Sequence, residues 1–154
     1  MNIEDLLKHP EKAQMALREA IWNNDAKLAE ALIPIARDPH LTLNYAQNIV
    51  KGKVKIEFED IIARDGEASF YYAYEVLNGP FPRGEYAIAE NEDLSLDYAI
   101  KVLKDRFPKG EEAIIYVALK HDDDVYLWRY TDFLKEIGKL DEFLKDHPEV
   151  KDIE

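Results

Sequence analysis

The apolar positions of this chain recur in blocks. With Tyr45, Tyr72 and Tyr98 in register, positions −2, 0, +1, +4 and +5 read Leu43, Tyr45, Ala46, Ile49, Val50, then Phe70, Tyr72, Ala73, Val76, Leu77, then Leu96, Tyr98, Ala99, Val102, Leu103. At about 100° per residue these positions share one half of a helix, so each block predicts an amphipathic helix of about thirteen residues. The tyrosines lie 27 and 26 residues apart, and Tyr130 continues the series after 32 residues if six extra are accommodated near "IYVALK".

Residues not used to set that register agree with it. Seven positions before the tyrosines stand Asp38, Asp65, Asn91 and Asp123, side chains that accept from the free N–H groups of a helix start. Pro39 follows the first of them, at the position of a first turn that suits proline. Seven positions after come Gly52, Gly79 and Asp105, with Gly138 one place later in the fourth block, where a left-handed helix C-terminus is expected. Position −3, inside the apolar stripe, is Thr42, Ser69 and Ser95, small enough for a neighbouring element to approach closely.

After each glycine position, "PFPRG" and "RFPKG" predict a proline-set turn, and "EYAIAE" and "EEAIIY" only one or two helical turns. "KVKIEFEDII" alternates as a strand would, but a strand there would break the repeat, so helix is expected. A unit of a long helix, a turn and a short helix cannot bury its own apolar face and must stack on the next. The expected fold is therefore all-α: an α-solenoid of about 26-residue repeats between N- and C-terminal capping helices. Residues 1–154 form one helical-repeat domain, with a degenerate unit at 1–34, clear repeats at 35–61, 62–87 and 88–113, and a divergent repeat with a polar cap at 114–154.

The segments Tyr72–Ala89 and Tyr98–Ile114 resemble short helical repeats of bacteriophages and large DNA viruses. Units of that kind read Tyr-Ala, two variable residues, an aliphatic pair, a basic-Gly-basic triplet, then aromatic-Pro-Glu. The likeness covers roughly Ile35 to Ile114 and departs at Val54 and Ile56, where the aromatic-proline turn is missing. The long-plus-short plan, with "ARDP" before the long helix, more weakly resembles leucine-rich-repeat-variant proteins. The viral resemblance implies a host-interaction or counter-defence setting and brings no catalytic residue with it.

Composition narrows the chemistry. There is no cysteine, which excludes disulfides and thiolate metal sites and fits a reducing, cytoplasmic compartment. No apolar run is long enough to span a membrane and no N-terminal targeting segment is present, so no membrane association is expected. Thirty-two acidic against 20 basic residues give a net charge of −12, which opposes direct nucleic-acid binding and favours a neutral or basic protein partner. No catalytic motif is found, and neither enzyme activity nor a cofactor is expected. The sequence "HDDD", His121 to Asp124, has the donors of a metal site but sits at a helix start, where the acids serve as caps; no metal is expected. Glu111–Glu112, Glu57/Glu59/Asp60 and Asp141–Glu142 read as solvated helix starts, and the other histidines, His9, His40 and His147, as surface residues.

Opposite the buried stripe, position −1 holds Asn44, Tyr71, Asp97 and Arg129, flanked by Tyr74, Glu75, Asp93 and Lys101. Two tyrosines one turn apart with acids on either side read as an interface anchor and its rim. The partner-binding residues expected are thus Tyr71, Tyr74, Glu75, Asp93, Asp97 and Arg129, in a non-catalytic protein-binding module that inhibits a host protein. The alternative is a nucleic-acid mimic using Asp122, Asp123 and Asp124. Duplex DNA carries one charge per ~1.7 Å, so 12 charges match only about 20 Å of it. Five units stacked at about 8–10 Å would extend to roughly twice that length. Residues 35–61 are neutral overall and residues 114–154 carry −5, so mimicry would belong to the C-terminal part.

Overall fold

A computed structural model describes residues 2–153 of the chain. It is all-helical: eleven α-helices alternate with short π- and 3-10 segments, and the described residues contain no strand. None of these helices is long and apolar enough to cross a membrane.

The chain enters through α1 (Ile3–Lys8), α2 (Pro10–Trp22) and α3 (Ala26–Ala36). The expected long helices follow as α4 (Pro39–Tyr45), α6 (Gly66–Tyr71), α8 (Glu92–Asp97) and α10 (Val125–Ile137), and the segments between them as α5 (Ile56–Ile62), α7 (Glu85–Ile88) and α9 (Pro108–Lys120). Helix α11 (Leu140–Asp146) and the 3-10 segment Pro148–Ile153 follow α10. Each long helix lies against its predecessor, α6 on α4, α8 on α6 and α10 on α8, while α7 bridges α6 and α9. The core lies between these helices, and its largest fully buried side chains include Tyr72, Tyr98 and Tyr130.

Three of the four helix starts are capped as expected: Asp38, Asp65 and Asn91 accept from the backbone N–H groups of Leu41, Ala68 and Leu94 at 2.9, 2.8 and 2.8 Å. The fourth is corrected. α10 begins one residue late, with Asp124 at the cap position and no side-chain cap bond, and Asp123 instead accepts from Val125 N at 3.3 Å.

The helix ends also differ from expectation. α4, α6 and α8 are α-helical only up to the tyrosine region, and then widen into the π-helical segments Ala46–Val50, Tyr72–Leu77 and Tyr98–Leu103. The wider turn moves the left-handed residue one place earlier, to Lys51, Asn78 and Lys104, with φ of 56, 53 and 54°. Gly52, Gly79 and Asp105 instead donate their N–H to the carbonyls of Ala46, Ala73 and Ala99 at 3.3, 3.1 and 3.3 Å, the same oxygens the left-handed residues reach. Only the fourth unit ends on its expected residue, Gly138 at φ 75°.

The small residues at position −3 do permit close approach. A Cβ on Gly84 would lie 2.4 Å from Ser69 Oγ, and one on Gly110 2.4 Å from Ser95 Oγ, so each short segment rests its glycine on the long helix beneath. Ser69 and Ser95 donate their buried hydroxyls to the carbonyls of Ile62 and Ile88 at 3.1 and 3.2 Å. "EEAIIY" departs from expectation: it lies within the 13-residue helix α9, not a helix of one or two turns.

Candidate functional site

The expected ridge is built on the outer face of α6 and α8 and their π-helical continuations. Tyr71 and Tyr74 are 39% and 45% exposed although both are large aromatics. Both rest on buried Phe70: Tyr71 meets it edge-on at 5.2 Å between centroids and Tyr74 stacks on it at 5.7 Å. Each ring thus packs against Phe70 and stays partly exposed. Glu75 is exposed and accepts from Gln47 Nε2 at 2.6 Å, linking two neighbouring long helices. Tyr74 also lines a cleft of about 380 Å³ with Lys101 and Lys104.

The remaining ridge positions are spread more widely. Asp97 is half-buried and lies 3.7 Å from Lys101 Nζ, so its charge is partly answered within the chain. Asp93 is exposed beside Tyr126, whose hydroxyl it pushes above the ordinary tyrosine range together with Glu92. Arg129 is exposed on α10. The turn carrying Asp122, Asp123 and Asp124 is exposed, with Asp122 at φ 54°. No group of three or more His, Asp or Glu side chains among the described residues is arranged to hold a metal ion.

The ridge extends further than its sequence pattern indicates. Trp22, 88% exposed at the end of α2, lines a shallow cavity with Arg18, Leu41, Asn44 and Asn48. Asn44 occupies the same repeat position as Tyr71, so Trp22 prolongs the ridge by one unit. A lone tryptophan just before the "NND" turn of the degenerate unit was the available signal, but no repeat register reaches it.

Behind the ridge, three of the four register tyrosines, Tyr72, Tyr98 and Tyr130, each close a polar clamp on the preceding segment. The Tyr72 hydroxyl donates to Glu59 at 2.7 Å and accepts from Val54 N at 3.1 Å. Tyr98 repeats this with Glu85 at 2.7 Å and Phe81 N at 3.0 Å, and Tyr130 with Glu111 and Phe107 N, the latter at 3.0 Å. Burial, with the adjoining carboxylate second, pushes all three hydroxyls far above the ordinary tyrosine range. Glu59 and Glu111 are thus buried clamp acceptors, which corrects their reading as solvated helix starts.

Glu111 carries the most. Arg106, itself buried, forks onto it through Nε at 2.9 Å and Nη2 at 2.6 Å, and reaches Glu142 and Asp146 of α11 at 3.1 and 3.0 Å. His147 Nε2 lies 3.0 Å from the same carboxylate, so His147 is a half-buried part of this cluster and not a free surface residue. Burial alone would raise the Glu111 carboxyl, but Arg106, Tyr130 and His147 outweigh it and hold it below the ordinary range. The cluster's geometry ties α11 to the preceding helices.

No known protein family, no curated protein and no solved structure matches this chain.

Proposed function

We propose that the chain is a short α-solenoid acting as a non-catalytic protein-binding module, with the aromatic ridge as its grip. The observation that carries this reading is the pair Tyr71 and Tyr74, exposed yet packed against Phe70. Rigid aromatics supply large contact area with little side-chain entropy left to lose, which is what interface anchors need. Trp22 extends the apolar strip, and Glu75, Asp93 and Asp97 give it an acidic rim suited to a neutral or basic partner. In the viral setting that the repeat resemblance implies, that partner is a host protein, and occupying its surface inhibits it.

The test is binding of an isolated partner by wild type and by the Tyr71→Ala/Tyr74→Ala variant at two ionic strengths. The expected result is an affinity loss on the order of 2 kcal/mol or more, with little dependence on salt and an unchanged melting temperature. A partner lost steeply with salt and insensitive to the tyrosines, but released when Asp122, Asp123 and Asp124 are neutralised, would transfer the function to acidic mimicry.

A further inference from the structure

The long helices are stacked so that each covers a defined strip of its predecessor, and the repeat shows which positions meet. Position −6 of one helix faces position −4 of the next: a Cβ on Gly66 would lie 3.1 Å from Leu94 Cδ1. Position +2 faces position +3, as Gln47 donates to Glu75. Position −2 is covered as well, since Leu43, Phe70 and Leu96 are 6, 3 and 0% exposed.

On α10 the same three positions are Asp124, Asp132 and Trp128, and all three are exposed. Trp128 is 67% exposed at a position otherwise buried. Together with Leu127 and Thr131 it forms one wall of an apolar groove of about 490 Å³. Leu140 and Leu144 of α11 and Val150 form the others.

We propose that this groove docks an amphipathic helix of a partner protein, which lies on α10 as α10 lies on α8. The geometry states what that helix must carry. An aliphatic side chain is needed between Asp124 and Trp128, corresponding to Leu94. A basic side chain is needed two turns later, seven residues on, where it meets the Asp132 carboxylate; Lys101 holds that place relative to Leu94 within the chain itself. The partner helix is basic because residues 114–154 carry a net charge of −5, and Asp124 at the groove with exposed Asp132 on the same helix outweighs the single base of the lining, Lys151. A second copy of this chain fits poorly, because two such acidic ends would repel and α1 already packs on α2 at the opposite end of the row. This surface is separate from the tyrosine ridge and stands on different observations.

The probe is a synthetic peptide of residues 91–104 carrying Asp93→Lys and Asp97→Lys, which keeps Leu94 and Lys101. It is titrated into full-length protein carrying Trp22→Phe, so that Trp128 is the sole tryptophan. Saturable blue-shifted Trp128 emission is expected, with a Kd on the order of 10 μM. Leu94→Asp in the peptide, or Asp132→Lys in the protein, is expected to weaken binding about tenfold or more. The Tyr71→Ala/Tyr74→Ala variant is expected to bind the peptide as tightly as wild type, which separates this site from the ridge. The proposal is overturned by an unchanged emission up to about 1 mM peptide, or by equal shifts from the Leu94→Asp peptide. It is also overturned by a concentration-dependent dimer that Trp128→Ala abolishes, which would assign the groove to a second copy.

Discussion

The clamps at Tyr98 and Tyr130 share one geometry and differ in their electrostatics. Tyr98 ties Phe81 N to Glu85, a carboxylate whose side chain is 12% exposed and whose other partner is Lys109 on the surface at 2.8 Å. Tyr130 ties Phe107 N to Glu111, which is 1% exposed and fully enclosed by Arg106, Tyr130 and His147. The inner clamp joins one repeat to the next. The C-terminal clamp also holds α11, because Arg106 spans from Glu111 to Glu142 and Asp146 while lying over the Phe143 ring. The buried ion pair appears where an element must be fastened that the repeat pattern alone does not place. Where helices already stack, the tyrosine hydroxyl and a surface lysine hold the carboxylate.

The largest expected effect breaks that ionic clamp. Arg106→Met leaves Glu111 buried without its cation, and losing one partner of a buried pair typically costs about 3–5 kcal/mol. Replacing the counterpart cation of the inner clamp, Lys109→Met, should cost about 1 kcal/mol or less, since that lysine is mostly in water. Adding Glu111→Leu to Arg106→Met should recover most of the loss, because apolar replacement of a whole buried pair is often neutral. Urea unfolding of the four proteins checks this, and equal losses for Arg106→Met and Lys109→Met would erase the distinction.

Acid should loosen the C-terminal clamp. Glu111 is held below its ordinary range in the fold, so the stability it contributes is present above the unfolded carboxylate value of about 4.3. That contribution disappears as pH falls through the folded value. Thermal melts between neutral pH and about pH 3 should lose stability steeply in wild type and less steeply in Arg106→Met/Glu111→Leu. The raised tyrosines act in the opposite direction: their contribution is complete below the unfolded value of about 10 and is lost only as alkali ionises them.

Hydroxyl removal gives a smaller contrast. Tyr130→Phe strips a donor from a fully enclosed carboxylate and an acceptor from Phe107 N, an expected cost of about 2–3 kcal/mol. Tyr98→Phe should cost about 1 kcal/mol, because Glu85 keeps Lys109 and access to water. A reversed order in denaturant midpoints would show that enclosure of the carboxylate does not set the energy.

Much of this architecture is legible in the residues. Asp38, Asp65 and Asn91 announce three helix starts, and Ser69 and Ser95 announce the close contacts made by Gly84 and Gly110. The exposure of Tyr71 and Tyr74 follows from the stripe opposite them. Glu59 and Glu111 read as solvated helix starts, although Glu59, Glu85 and Glu111 keep the same 26-residue spacing as the repeat. A carboxylate in an acidic chain reads as solvent-facing until a buried hydroxyl donor is placed beside it. The partner of Glu111 is harder still to see, since His147 arrives from 36 residues away through a helix outside the repeat. The π-helical widening is invisible to a 3.6-residue period, which fits the same apolar positions either way.

That widening leads to the smallest expected effect, and the comparison between inner and C-terminal units predicts its sign. The inner units end on Lys51, Asn78 and Lys104 at φ near 55°, whereas the C-terminal unit ends on Gly138 at φ 75°. Left-handed backbone strains any residue with a Cβ and leaves glycine unstrained. Lys104 is exposed, so its replacement disturbs no buried contact. Lys104→Gly relieves that strain but adds backbone freedom to the unfolded chain, and the difference should stabilise by about 0.5 kcal/mol. Gly138→Ala reverses the exchange at a position where nothing lies within 4 Å of the new methyl. It should therefore destabilise through backbone strain alone, by about 1 kcal/mol. If Lys104→Gly instead lowered the melting temperature, the π-helical end would be held by its lysine side chain and not by the two N–H groups that converge on Ala99.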